Sequence, residues 1–473
     1  MDSNTLLKAR GADQINIYQL IKYIQESKLA YKIESYVSHT EEEQASATSS
    51  RPTPSTPVLH TLVSFLTALT NLSTEGRIFY EKLPGTLADI KLSYLLLSPT
   101  HAFSSIASTA RAVILAGGTM SPFGDYKAHL FPTLSPSKIT TLSCDHVIPP
   151  SNIFVWTLGS TKPIPSTTTT TPDTFEFSFQ KRSNPAMIRQ LGLALLNICS
   201  VVPDGVVVFF PSYGYLDEVV SVWQAPDPLP PSTSAPPTAP NPKPTIWDRL
   251  AQRKSLFRET KGSTPSTEEL LHAYSEAILS PSQDKTLKPG GALLLSVVGG
   301  RLSEGINFSD RLGRCVVVVG LPYPNIHSPE WRARVEYVEG VTVGRLLGDS
   351  GVAGGGEDGD GEDTRGGIDG ERGRKGEKMT REEAVARGKQ AARDFYENAC
   401  MRAVNQSIGR AIRHRADYAA VVLVDRRFGT ERIRGKLPGW MRGGMVEGSE
   451  GKGLQGLMGG LSGFFREKRD GGG

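Results

Sequence analysis

Apolar and polar positions alternate differently in different parts of the chain. Between Ile15 and Val37 apolar residues recur at roughly helical spacing, at Ile17, Leu20, Ile21, Ile24, Leu29 and Ile33, which predicts an amphipathic helical segment. Val58–Leu72 predicts another helix and Lys91–Leu97 a strand. Further on, the apolar residues come in runs, unbroken except at Ser296: Ala112–Ala116, Val206–Phe210, Ala292–Val297, Cys315–Val319 and Tyr418–Val424. A strand that is apolar at every position has no face to turn to water, so it must be covered on both sides. Helical spacing separates the later runs, through Leu216, Val219, Val220 and Trp223, through Ile246–Leu279 (interrupted at Gly262 and Pro265), and through Glu382–Arg415. Strands alternating with helices predict an α/β fold, a doubly wound parallel sheet covered on both faces, for the bulk of Phe175–Arg442.

Composition marks where this pattern is interrupted. Glu41–Pro57, Ser160–Asp173 and Ala225–Pro244 are rich in Pro, Ser and Thr, and Val338–Thr380 contains a stretch of Gly and acidic residues. Such segments bury too little apolar surface to offset their ordering entropy and are expected to be flexible, about 40–57, 225–244 and 346–380. Residues 443–473 read as a Gly-rich tail with one basic-aromatic patch, Phe464–Arg469. A net charge of +4 is too small to imply a nucleic-acid partner. Its distribution says more: Arg381–Arg442 carries 14 Lys and Arg against 7 Asp and Glu, whereas Asp349–Asp363 has no basic residue. Cys144, Cys199, Cys315 and Cys400 form no CxxC pair, which argues against a zinc site and for free thiols in a reducing compartment. No apolar run reaches membrane-spanning length, and the expected chain is a soluble one.

Three strand-end loops and one helix carry chemistry. Phe209–Tyr213, FFPSY, puts a hydroxyl and an aromatic ring after a strand, suited to a nucleic-acid backbone and a stacked base. Gly299–Phe308, GGRLSEGINF, combines glycines for close backbone approach with Arg301, Glu304 and Asn307. Arg111–Pro122, RAVILAGGTMSP, breaks a predicted strand at Gly117–Gly118 and follows it with Thr119, the place where open α/β sheets collect ligands. In Asn405–Arg415, NQSIGRAIRHR, Gln406, Arg410 and Arg413 fall at i, i+4 and i+7 and would share one helix face, where planar guanidiniums can fork onto phosphate. Each has an ordinary structural explanation, a turn or a solvated basic face. Their order and spacing together are specific.

On AGGTMSP (Ala116–Pro122), GVVVFFPSY (Gly205–Tyr213), Leu293–Asn325, AVNQSIGRAIRH (Ala403–His414) and KLPGW (Lys436–Trp440), the chain resembles the C-terminal half of the XPD-like, DEAH-type iron–sulfur DNA helicases, and among them the branch acting in sister-chromatid cohesion. The resemblance runs from about Asn16 to Trp440. It implies a RecA-like second motor domain over 174–442, the end of a first RecA-like motor domain over 101–160, and a helical arch-like remnant over 1–100. It implies that Gln406, Arg410 and Arg413 reach the γ-phosphate of ATP. Gly118, Thr119, Glu304, Gly305 and Asn307 would respond to nucleotide, and Ser212, Tyr213 and Arg301 would contact single-stranded or forked DNA. Asn307 stands where many such helicases carry Asp. A nuclear protein working with replication or cohesion partners, away from membranes, follows from the same resemblance.

The departures bear equally on function. There is no GxxxxGK[ST], and Gly435–Lys436 is followed by Leu and Pro. There is no DEAH box; Asp217–Glu218–Val219–Val220 falls on a predicted helix. The four cysteines that hold the family's iron–sulfur cluster are not matched, and no metal ligand set is seen. Arginine fingers without a phosphate cradle or a magnesium carboxylate lack most of the phosphoryl-transfer apparatus. The expectation is therefore a truncated ATP-dependent DNA helicase, inactive on its own. The alternative is a non-catalytic nucleic-acid-binding or interaction module, with its affinity in the basic 381–442 segment. A metabolite enzyme on the same scaffold would leave the ordered motifs unexplained.

Overall fold

The computed structural model describes residues 1–9, 11–45, 58–71, 73–82, 90–144, 147–163, 174–226, 243–262, 266–280, 290–305, 308–348, 379–410, 412 and 414–470. Most of the segments expected to be flexible lie outside these residues, but 40–45 close the helix Leu29–Ala45 and 346–347 close the helix Pro329–Leu347. The chain divides into two compact units: Met1–Val113 with Tyr126–Leu134 and Asn325–Phe395, and Ile114–Asp125 with Ser135–Pro324 and Tyr396–Gly473. The division cuts across the sequence-based boundaries, because 325–395 groups with the N-terminal residues and 114–125 with the large sheet.

The first unit is built on an antiparallel pair, β1 (Gly76–Lys82) and β2 (Ile90–Leu96), with Gly76 opposite Leu96. Helices Ile17–Glu26, Leu29–Ala45, Val58–Leu69, Thr100–Thr109 and Pro329–Leu347 belong to the same unit. The helical stretch expected over Ile15–Val37 is thus two helices, broken at Ser27–Lys28, where Lys28 takes a left-handed φ of 52°.

The second unit carries six parallel strands in the order β3-β8-β7-β4-β6-β5: β3 Ile153–Thr157, β4 Gly205–Phe210, β5 Ser255–Arg258, β6 Ala292–Val297, β7 Cys315–Val319 and β8 Ala419–Val424. Every residue of β3, β4, β6, β7 and β8 is buried, as the apolar runs required. Val206, Val208 and Phe210 of β4 face a core formed with helices Pro185–Val201, Tyr213–Gln224, Ile246–Arg253 and Gly453–Asp470. Val207 and Phe209 face the other core, against Tyr274, Ile278, Val404 and Ile408. This is the doubly wound sheet expected from the sequence.

Four local readings change. Ala112–Ala116 forms no strand: Ile114 is 89% exposed, because no described strand pairs with this apolar segment. Ile246–Leu279 is two helices around the edge strand β5. The helix ending in the Gln/Arg motif spans Arg381–Ile408 and stops before Gly409, not at Arg415. Residues 453–470 form a helix, not a tail, with Phe464 and Phe465 buried against β3 and Tyr418.

Candidate nucleotide and nucleic-acid site

One group of candidate residues gathers where β4, β5 and β6 end. Ser212 turns its oxygen back to accept the Tyr215 amide at 3.3 Å, capping the helix that FFPSY leads into. The Tyr213 hydroxyl donates to Oε1 of Glu259 at 2.7 Å. Glu259 follows β5 and is 5% exposed. It also accepts from the Ser296 hydroxyl at 2.7 Å and from the amides of Val297 at 3.1 Å and Leu302 at 3.4 Å. A carboxylate surrounded by donors is stabilised where an unpaired one would cost several kcal/mol, on the order of the desolvation of a buried charge. Burial and the bond to Glu259 push the Tyr213 phenol up to about 12, so it stays a donor. The hydroxyl expected to meet a strand is therefore turned inward. A Cβ on Gly300 would come within 2.7 Å of Glu259 Oε1, which explains the second glycine of the loop. Gly299 takes a φ of 71°. Arg301 opens the short helix Arg301–Gly305 and is exposed. Glu304 and Gly305 close that helix; Asn307 lies outside the described residues.

The second group gathers around the end of helix Arg381–Ile408. Its backbone is tied to the GGRLSEGINF loop by one bond, from the Phe308 amide to the Arg410 carbonyl at 3.0 Å. A Cβ on Gly409 would lie 3.4 Å from Cγ2 of Thr119, so the Gly-Gly-Thr turn packs directly on this position. Asn405 is buried and donates to the carbonyls of Ser121 and Lys436, at 3.4 and 3.1 Å. Asp125 accepts from Asn398 at 2.9 Å and pairs with Arg402 at 2.7 Å, fixing the rest of the 114–125 segment along the same helix. Gly118 faces open space: an added Cβ would meet nothing within 4 Å. Gln406 is exposed, and the side chain of Arg410, half-buried in the turn after the helix, has no hydrogen-bond or ion-pair partner among the described residues. The shared face expected for Gln406, Arg410 and Arg413 is not a helical one, since the helix has ended; Arg413 lies outside the described residues.

Missed from the sequence were Glu259, Asn405 and Asp125. Glu259 sat in a polar stretch read as helix, Asn405 is a neutral residue in a motif read for Gln406 and its arginines, and Asp125 lies beyond the end of RAVILAGGTMSP. Arg410 fits an anion such as a phosphate, being a half-buried guanidinium whose donors are unused among the described residues. Cysteine ligation does not fit: Cys199, Cys315 and Cys400 are buried, and burial pushes all three thiols up, Cys199 to about 12, while cluster ligands are thiolates. Asp310, His414 and Asp417 come close together, but Asp417 already accepts from Arg314 at 3.0 Å and from the amides of Tyr418 and Asp310, and His414 is paired with Asp310. These residues form an ion-pair knot and do not fit a magnesium site.

The sheet with these loops defines a class: a family model described as the helicase C-terminal domain matches residues 195–346 and 374–444, and with it the RecA-like reading of the sheet stands. Nearly the whole chain is similar to ATP-dependent DNA helicase chl1 of Neurospora crassa, 55% identical over 506 residues, covering 99% of this chain and 45% of that protein. CHL1 of Sclerotinia sclerotiorum is 45% identical over 489 residues, covering 99% of this chain and 52% of that one. Among solved structures, S. tokodaii Xpd4 matches 80% of this chain and 51% of its own, at 15% identity and a TM-score of 0.40. The chain spans about half the length of the curated relatives it matches. The resemblance to these helicases, read from the motifs, is borne out.

Proposed function

We propose that this chain is the C-terminal motor portion of an ATP-dependent DNA helicase that acts on single-stranded or forked DNA in chromosome cohesion, replication or repair in the nucleus. The observation that supports it most is the bond from the Phe308 amide to the Arg410 carbonyl, with Thr119 packed on Gly409, because three motifs distant in sequence meet at the turn that carries Arg410. In this reading Gln406, Arg410 and Arg413 face ATP, whose phosphate cradle and magnesium carboxylates are supplied from outside this chain. Bound ATP supplies the free energy of phosphoryl transfer. The arginines neutralise charge on the phosphates, and Gly118, Thr119, Glu304, Gly305 and Asn307 sense the nucleotide from the loops that meet there. Ser212 and Arg301 contact the strand from the first group of loops, with Tyr213 offering only its ring, since its hydroxyl is bound to Glu259. Residues 1–100 are the arch-like part, and the exposed apolar segment around Ile114 becomes a strand only when it joins the sheet of a first motor domain. No described helix is long and apolar enough to cross a membrane. The family's iron–sulfur cluster has no counterpart among these cysteines, so no role is derived through it.

The competing reading, a non-catalytic nucleic-acid module, draws on the basic 381–442 segment. Among the described residues five of its fourteen cations are paired: Arg402 with Asp125, Arg426 with Glu176, Arg427 with Asp425, and Arg432 and Lys436 with Glu397. About a third of the segment's cations are thus engaged within the fold, and the meeting of the three motifs favours the motor reading. Its test is Arg410→Ala and Arg413→Ala, each placed in the enzyme together with its nucleotide-cradling domain. Loss of an arginine finger costs about 10³–10⁵ in turnover, with nucleotide binding retained. DNA-stimulated hydrolysis at the wild-type rate in both variants would remove the assignment.

A further inference from the structure

Phe179 lies outside both groups of loops. It stands on the turn between Phe177 and helix Pro185–Val201 and is 78% exposed. One exposed phenylalanine is ordinary; its attachment is less so. The guanidinium carbon of Arg182 lies 5.0 Å from the Phe179 ring centroid and 5.5 Å from that of Tyr215, both within cation–π range. Tyr215 is buried, and its hydroxyl donates to the Arg182 carbonyl at 2.9 Å, so the ring that carries the guanidinium also fixes the arginine backbone. Behind it Phe177 meets Tyr215 edge-on at 6.3 Å and stacks on Phe175 at 5.9 Å and 10°, both buried. The Phe177 amide is held by Asp425 at 2.9 Å. Phe179 is thus the exposed end of an aromatic column rooted in the core. The nearby carboxylate of Glu176 is neutralised by Lys181 at 2.9 Å and Arg426 at 2.6 Å, which leaves the charge of Arg182 uncompensated by it. Tyr215 is two residues beyond Tyr213, so the column stands beside the FFPSY turn.

We propose that Phe179 and Arg182 form a base-stacking platform for single-stranded nucleic acid. A nucleobase lies on the outer face of the Phe179 ring, and the adjoining phosphate bonds the Arg182 guanidinium. The proposal rests on the reading of this unit as a nucleic-acid motor and adds a contact that reading does not contain. Stacking is tolerant of base identity, since every base has a π-face, and removing such a ring weakens binding about tenfold to a hundredfold.

The test is equilibrium binding of the full chain, by fluorescence anisotropy at several salt concentrations, to a mixed-sequence single-stranded oligonucleotide and to an abasic phosphodiester strand of equal length. Phe179→Ala is expected to weaken binding to the intact strand by about tenfold to a hundredfold, to leave the abasic strand unaffected and to keep the salt slope. Phe179→Trp should restore the affinity. Arg182→Ala should weaken both strands and lower the slope by about one. Equal losses on intact and abasic strands for Phe179→Ala would mean a displaced loop and overturn the platform. Wild-type affinity in Phe179→Ala, with Arg301→Ala weakened, would overturn the platform alone. No binding of either strand by the wild type at low salt would overturn the platform and the nucleic-acid reading together.

Discussion

Glu259 has only donors around it, and that decides what substitution does there. Glutamine keeps the shape but supplies one acceptor oxygen in place of two. The Val297 and Leu302 amides, bound to different oxygens, cannot both be satisfied, since amides cannot turn round to accept. The partner hydroxyl on Tyr213 gives a pH signature. Its folded pKa is raised from 10.0 to about 12, so the contribution of the Tyr213–Glu259 bond is complete below pH 10 and disappears as pH rises through about 12. Urea midpoints measured from pH 9 to 12 should therefore fall more steeply for the wild type than for Tyr213→Phe. Parallel curves would mean that the bond contributes nothing. The loops carrying Ser212, Tyr213 and Arg301 stood out in the sequence because they follow strands that are apolar throughout or nearly so. Glu259 could not, because β5 is four half-buried residues in a polar context, with none of the periodicity that marks an element.

The largest misreading of an element was the C-terminal helix. Glycine lowers helix propensity, and a Gly-rich segment therefore reads as a tail. In the structure glycine serves close approach. A Cβ on Gly460 would come 2.7 Å from Cζ of Phe154, and one on Gly456 would come 3.2 Å from the Trp156 ring, so both positions let the helix lie flat on β3. Gly459 faces open space. Gly460→Val should cost about 1–3 kcal/mol through overpacking, while Gly459→Ala should stabilise by about 0.5–1 kcal/mol. Chemical denaturation of both variants checks this, and two changes of the same sign would contradict it. The Gln/Arg helix was misread for the complementary reason. Apolar spacing continues through Ile412, which is 2% exposed, so periodicity alone gave no warning that the helix ends at Ile408.

Over the whole molecule, a net charge of +4 conceals extensive internal pairing. Asp425 is fully buried after β8 and accepts from the Phe177 amide and from the Arg427 amide and guanidinium. Arg427→Ala leaves that carboxylate buried without its cation, which typically costs about 3–5 kcal/mol. The expected outcome is a large fall in the thermal midpoint with little change in nucleic-acid affinity per folded molecule. A stable variant with weakened affinity would instead place Arg427 on the strand. Charge counting from sequence pointed to the 381–442 segment as an adhesive surface, because a sequence does not record which cations already have partners. The Phe308–Arg410 bond has a different consequence at this scale. It joins two loops backbone to backbone, and it is lost if they separate by more than a fraction of an ångström. A ligand that orders one loop therefore lowers the entropy cost of ordering the other. Thermodynamic reciprocity then requires that occupancy of either raise the affinity of its neighbour by the same factor.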